Sequence, residues 1–200
     1  MFFLLFRNFA PKFIHYFDMN AEDYKALKAK APQEGLVVGV LWVAAFACYI
    51  GQLSQPILGL MVMPLSLISV FVVVNRLRGY RNQYLDFLPY FKAFVYLFLV
   101  FLYASLIMAL GQWIYFQFMD QGFLYGEIMK MMETAEFKQA MDVYKGMEGF
   151  DENMFKVAVD QIAEMRPIDI AFQFLSIDVV VSLFLSLFLA MLSMGKAVRK

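Results

Sequence analysis

The sequence predicts an all-α integral membrane protein with four transmembrane helices and a two-helix extracytoplasmic insertion between spans three and four. Hydrophobic residues make up 62% of the 200-residue chain and charged residues only 17%, whereas soluble domains are about half apolar and a quarter charged. The apolar residues are concentrated in long uncharged runs, and most basic residues lie on one side of these runs. Together, these observations favour bilayer spans over an enlarged soluble core.

Four apolar runs are long enough to cross a bilayer, which takes about 20 helical residues. The first two contain 18 residues each without a charge, the third contains 27, and the fourth contains 26 with a single charge at Asp178. They cover residues 36–53, 57–74, 93–119 and 170–195. Because only a short turn joins the first two runs, we expect an antiparallel hairpin, and Pro64 should kink the second span.

The distribution of lysine and arginine predicts the orientation. The segment before span one, the connection between spans two and three, and the C-terminal tail together carry 12 of the 17 basic residues. These three regions share one side of a four-span protein. The other side has an uncharged turn and the segment 120–169, which contains 5 basic and 11 acidic residues. The positive-inside rule therefore predicts that both termini are cytoplasmic.

We divide the chain into a cytoplasmic N-terminal segment, 1–34, and a four-helix membrane domain, 35–200, with the extracytoplasmic insertion at about 120–167. In the insertion, apolar residues at helical spacing predict one helix from Ile128 to Tyr144. Asp151 should cap a second helix, with Phe150 and Phe155 as its hydrophobic staple. The aromatic residues before Asp18 leave two interpretations open: an interfacial segment, or a true start at Met19.

Asp178 is the candidate functional residue, because an ionisable group inside a span is costly and usually faces other helices. Helical spacing places it on one face with Ser182, Ser186 and Ser193. Gln112 on span three and Gln173 on span four are its expected polar neighbours. This polar set is either a proton or ligand site or an interhelical contact, and serine stripes favour the contact.

Two further groups of residues have alternative interpretations. The connection after span two carries four basic residues, which could hold lipid headgroups or simply set the topology: Arg76, Arg78, Arg81 and Lys92. Gly35 and Gly39 begin a small-residue face that is typical of close helix packing. The partner helix on that face could belong to this chain, to a second copy or to another membrane protein.

Several segments together resemble one known family. They are the start of span one at Gly35 to Gly39, the basic stretch 75–81, the end of span three at 115–120, the helical insertion, and the last span with its basic tail. Over about residues 21–200, the chain resembles a family of small bacterial inner-membrane proteins known as a domain of unknown function. The resemblance implies four helices and the bacterial cytoplasmic membrane, and it carries no catalytic residues.

The sequence therefore predicts a non-enzymatic membrane scaffold or accessory subunit. Hydrolase, phosphate-loop and zinc signatures are absent from the sequence, so we predict no catalytic residue, metal or cofactor. The expected partners are the bilayer and a membrane protein, and not nucleic acid. Two alternatives stay open: a small transporter or lipid-handling protein that uses Asp178, and a membrane partner of a lipid-linked glycosyltransferase.

Overall fold

All four apolar runs form long helices in a computed structural model of the protein, which describes residues 21–84, 87–144 and 152–196. The long helices are α1 (Ala21–Gly51), α2 (Gly59–Tyr84), α3 (Tyr90–Ile114) and α7 (Pro167–Ser193). Three shorter helices lie between α3 and α7: α4 (Phe123–Glu133), α5 (Ala135–Tyr144) and α6 (Glu152–Glu164). Among these described residues, four segments are long and apolar enough to span a membrane: Ala29–Gly51, Pro56–Tyr84, Tyr90–Met119 and Pro167–Ser193. The predicted four-span helical fold is confirmed.

Each long helix extends beyond its uncharged run at one end. Helix α1 begins at Ala21 and continues through Pro32, so the predicted division between residues 34 and 35 falls inside one helix. A short 3₁₀ turn, Pro56–Leu58, leads into α2, which contains Pro64. Helix α3 continues into a π-helical turn, Tyr115–Met119. Outside the hydrocarbon core, water can solvate charged side chains and polar backbone groups, so a helix can continue past its apolar run.

Helix α3 lies at the centre of the bundle. It packs most extensively on α1 and α7, whereas α2 packs mainly on α1 and only lightly on α7. The fully buried side chains of α3, including Leu97 and Phe101, meet Val38 of α1 and Leu77 of α2 in one apolar core. We call the end that carries α4 to α6 the insertion end, and the end that carries the α2–α3 connection the basic end.

The first helix predicted for the insertion is divided at Thr134. The extended backbone of this residue ends α4, and its Oγ1 accepts a hydrogen bond of 3.3 Å from the N–H of Phe137 in the first turn of α5. Thr134 therefore acts as the N-cap of α5. Helix α6 begins at Glu152. The predicted cap Asp151 and its staple partner Phe150 lie outside the described residues.

A two-stranded antiparallel pair closes the basic end of the bundle. Strand β1 (Phe87–Leu88) follows α2, and strand β2 (Gly195–Lys196) follows α7. Phe87 is opposite Lys196, and Leu88 is opposite Gly195. Because each strand has only two residues, the pair ties the end of α7 to the α2–α3 connection rather than forming a sheet. This link brings the basic residues of α2 next to the last carbonyl groups of α7.

Candidate functional site

All four long helices line an open cavity of about 460 Å³. We call it the intramembrane cavity. Its polar and aromatic lining residues are Trp42, Phe46, Tyr49, Ser66, Ser69, Gln112, Phe174 and Asp178. Asp178 is the twelfth residue of the 27-residue helix α7, about 16 Å along the axis from its start at 1.5 Å per residue. The cavity therefore lies within the depth of the membrane.

Two polar atoms at this cavity lack a hydrogen-bond partner among the described residues. They are Oε1 of Gln112 and Oδ2 of Asp178, both buried. The Gln112 side chain comes from α3 and is only 2% exposed. A buried acceptor without a donor costs about 1–3 kcal/mol, and more if it is charged. The cavity thus presents two acceptor oxygens whose donor is not supplied by the described part of the chain.

Three other polar groups around the cavity have partners, those of Trp42, Ser66 and Ser69. Trp42 Nε1 donates a 2.9 Å hydrogen bond to Ser69 Oγ, which itself donates to the carbonyl of Ser66 at 2.6 Å. Ser66 Oγ donates to the carbonyl of Val62 at 2.9 Å. The Trp42 ring also stacks on Phe101, with 5.9 Å between centroids. The hydrogen bonds and the ring contact hold α1, α2 and α3 together on one side of the cavity. The buried oxygens of Gln112 and Asp178 have no such partner among the described residues.

The residues predicted to accompany Asp178 are divided between two places. Ser182 and Ser186 are fully buried. The Ser182 hydroxyl lies 3.4 Å from that of Ser105 on α3, and Ser186 donates to the carbonyl of Ser182 at 2.6 Å. Gln112 shares the intramembrane cavity with Asp178, whereas Gln173 is exposed and lines a second cavity. Ser182 thus joins α7 to α3, Ser186 bonds within α7, and Asp178 and Gln112 alone of the set face the intramembrane cavity.

The second cavity, about 670 Å³, lies at the insertion end, and we call it the insertion vestibule. Its polar lining residues include Gln52, Glu127, Lys130 and Gln173. Above it, Tyr125 of α4 donates a 3.0 Å hydrogen bond to Asp160 of α6. This hydrogen bond joins α4 to α6 and raises the pKa of the Tyr125 phenol above its ordinary value.

The four basic residues that the sequence placed between spans two and three lie in the helices: Arg76, Arg78 and Arg81 in the last turns of α2, and Lys92 in the first turn of α3. Arg76 forms a 2.6 Å ion pair with Glu34 of α1. Arg78 donates to the carbonyl of Leu192 at 2.9 Å, and Arg81 donates to those of Ser193 and Met194 at 3.0 and 3.4 Å. Arg81 and Lys92 are 8% and 7% exposed. Arg78 and Arg81 therefore satisfy terminal carbonyls of α7, while headgroup binding by this cluster stays a prediction.

The small-residue face of α1 packs inside the chain. A Cβ atom added to Gly35 would lie 2.5 Å from Cβ of Tyr103, and one added to Gly39 would lie 2.7 Å from Cβ of Ile107. Both contacts are with α3. This settles the alternative left open by the sequence for these two glycines: the close partner of their face is a helix of the same chain.

Sequence reasoning missed most of the cavity wall. Trp42, Ser69 and Phe174 belong to three different helices, and no periodicity within one span relates them to Asp178. The sequence contained only a weaker indication of this wall. Trp42 and Ser69 each carry a hydrogen-bonding group in the middle of an apolar run, where leaving that group unpaired is costly. Such residues are expected to find partners on other helices.

Four long apolar helices around a common core, with buried polar groups between them, define a multi-pass α-helical membrane protein. The chain belongs to the family described as protein of unknown function (DUF4199), whose match covers residues 33–194. That range includes all of the insertion and almost all of the four spans. No curated protein and no solved structure matches the chain.

Proposed function

We propose that this protein is a non-enzymatic accessory subunit, or scaffold, of a complex in the bacterial inner membrane. The observation that carries the proposal is the surface of the insertion. Helices α5 and α6 lie outside the four spans, yet Val143 is 73% exposed and Val157 is 52% exposed. Burying a valine side chain against a partner would contribute roughly 1.5 kcal/mol. A partner that covers this surface would gain that contribution from each residue.

Charge indicates the kind of partner. The segment 120–169 carries 11 acidic and 5 basic residues. A complementary surface would therefore be basic around an apolar centre, because like charges at an interface are strongly unfavourable. Since the Gly35 and Gly39 face already packs on α3, the insertion is the surface we assign to the partner. We propose the extracytoplasmic part of another integral membrane protein as that partner.

The partner surface can be tested by changing Val143 and Val157 to serine together. Both side chains are exposed, so the change should alter the stability of this subunit by less than about 0.5 kcal/mol. We expect recovery of the partner in mild detergent to fall at least fivefold. A photo-crosslinker at Val143 should capture the same membrane protein, which mass spectrometry identifies.

The exposed polar residue Gln139 of α5 provides the matched control. Gln139→Ser should leave partner recovery unchanged, and a crosslinker at this position should capture little. If a spin label at Val143 or Val157 instead shows the oxygen accessibility of lipid, these residues contact the bilayer and the partner surface is wrongly assigned. Crosslinking to many unrelated proteins would also contradict the proposal.

We further propose that the basic end and both termini are cytoplasmic and that the insertion is extracytoplasmic. The support is the division of basic residues, 12 on one side and 5 on the other. In a Cys48→Ser background, single cysteines at the exposed positions Ser54 and Gln139 should react with an impermeant maleimide in spheroplasts. A cysteine at Gln83 should react only after permeabilisation. Reaction at Gln83 alone would invert the orientation, and reaction at all three positions would contradict four spans.

The unpaired oxygens of Gln112 and Asp178 favour a second candidate function, a small transporter or lipid-handling protein. Asp178→Asn separates the two functions, because asparagine keeps the shape and hydrogen bonding of the side chain but cannot ionise. An accessory subunit with this change should still recover its partner. A transporter would assemble normally and lose its activity. The two outcomes can be read from the same preparation.

A further inference from the structure

We propose that the intramembrane cavity binds a lipophilic organic cation. The inference concerns binding alone, so it requires neither the accessory role nor transport. It is carried by the composition of the lining. Asp178 is the one acidic side chain there, and none of the described side chains lining the cavity is basic. An organic cation would supply the positive charge that the described lining does not provide for the Asp178 carboxylate.

Aromatic rings form much of the remaining wall. Trp42, Phe46, Tyr49 and Phe174 all line the intramembrane cavity. The faces of aromatic rings attract cations, most strongly where water is excluded, and quaternary ammonium groups are bound in this way. The ring of Phe174 also stacks on Phe116, with 6.5 Å between centroids, which restricts its movement. The lining therefore combines a negative group, an unpaired amide oxygen and several π faces.

The same lining is unsuited to an inorganic cation. A hard metal ion needs about six oxygen ligands, and among the described residues no group of three or more acidic, histidine or cysteine side chains could hold a metal ion. A lipophilic cation has a shielded charge and loses less hydration energy on leaving water. The apolar part of the wall, including Val62, Val70 and Leu185, can contact its hydrocarbon body.

The size and position of the cavity agree with a small organic ligand. Ligand cavities usually have volumes of about 300–1,000 Å³, and this cavity has about 460 Å³. Tyr49 and Phe174 line both the intramembrane cavity and the insertion vestibule, so the two spaces adjoin at these rings.

Binding can be tested with tetraphenylphosphonium and with tetraphenylborate, an anion of closely similar size and shape. Calorimetry on the full chain in lipid nanodiscs, corrected with empty nanodiscs, measures both affinities. We expect the cation to bind at least tenfold more tightly than the anion. Asp178→Asn should weaken binding of the cation at least tenfold, and Phe174→Leu should weaken it about threefold. Equal affinities for the two ions would overturn the proposal, as would undiminished binding by the Asp178→Asn variant.

Asp169→Asn is the matched control, because Asp169 lies on the same helix, pairs with Arg166 and does not line the cavity. Its affinity for the cation should equal that of the unchanged protein. A second measurement needs no variant: dicyclohexylcarbodiimide, which modifies membrane-embedded carboxyl groups, should label Asp178 as mapped by peptide mass spectrometry. Saturating tetraphenylphosphonium should slow that labelling at least threefold, while tetraphenylborate should not. Labelling at the same rate with and without the cation would refute binding at this site even if Asp178→Asn fails to fold.

Discussion

Replacing Gly35 with alanine is expected to destabilise the folded protein by about 1–3 kcal/mol, the usual cost of inserting a methyl group into a closely packed contact. The added Cβ would lie 2.5 Å from Cβ of Tyr103 and 2.8 Å from the carbonyl oxygen of Val100. Neither atom is at the end of a flexible side chain, so relief requires that α1 move away from α3. Unfolding in detergent, followed by helical circular dichroism, measures the change.

Gly79 in α2 provides a matched control, since a Cβ atom added there meets nothing within 4 Å. Gly79→Ala should be neutral or stabilise the protein by up to about 1 kcal/mol, because alanine favours the helix over the unfolded chain. If Gly35→Ala and Gly79→Ala behave alike, α1 and α3 do not pack as closely as the structure indicates. A Gly35→Ala variant that folds normally but loses a partner would mean that the Gly35 face serves another protein.

Replacing Arg81 with alanine is expected to destabilise the protein by about 2–3 kcal/mol, the scale of a buried hydrogen bond that involves a charged group. Arg81 is 8% exposed and donates to the carbonyls of Ser193 and Met194. These carbonyls follow the last turn of α7, where helical partners are no longer available. The positive charge is also favourable at a helix C-terminus. Loss of the side chain leaves the buried carbonyl of Ser193 without this donor.

Arg78→Ala is the control, because Arg78 is exposed and its bond to Leu192 competes with water. Its cost should be less than about 1 kcal/mol. Arg81→Lys should recover only part of the stability, since one ammonium cannot reproduce the guanidinium fork. Measurement of co-purified anionic lipid separates capping from headgroup binding. Loss of lipid without loss of stability in Arg81→Ala would favour the headgroup interpretation.

The four spans were predictable because crossing a bilayer depends on the polarity of consecutive residues. The runs 57–74 and 93–119 lie inside the helical segments Pro56–Tyr84 and Tyr90–Met119. The ends of the helices were less predictable. Charged residues such as Arg76 can continue a helix beyond the hydrocarbon core, so polarity does not mark where the helix stops. Thr134 shows the same limit: apolar spacing predicted one helix, and a local cap divided it.

The candidate site was predicted only in part. Asp178 stood out because a single carboxylate in an apolar run is costly wherever it points. Its surroundings depend on how four helices are rotated and where they cross. Helical spacing put Ser182 on the face of Asp178, but it could not show that Ser182 contacts Ser105 of α3 while Asp178 and Gln112 line the intramembrane cavity.

The sequence by itself determined that this chain is a multi-pass membrane protein with a helical insertion, because single-residue transfer energies and helical periods act locally along the chain. Only the tertiary structure decided that Gly35 packs on α3, that Arg81 binds the end of α7, and that Gln112 and Asp178 share a cavity with Trp42. Contacts between residues tens of positions apart depend on helix rotation and crossing. These are set jointly by every side chain at the interface, so no segment encodes them alone.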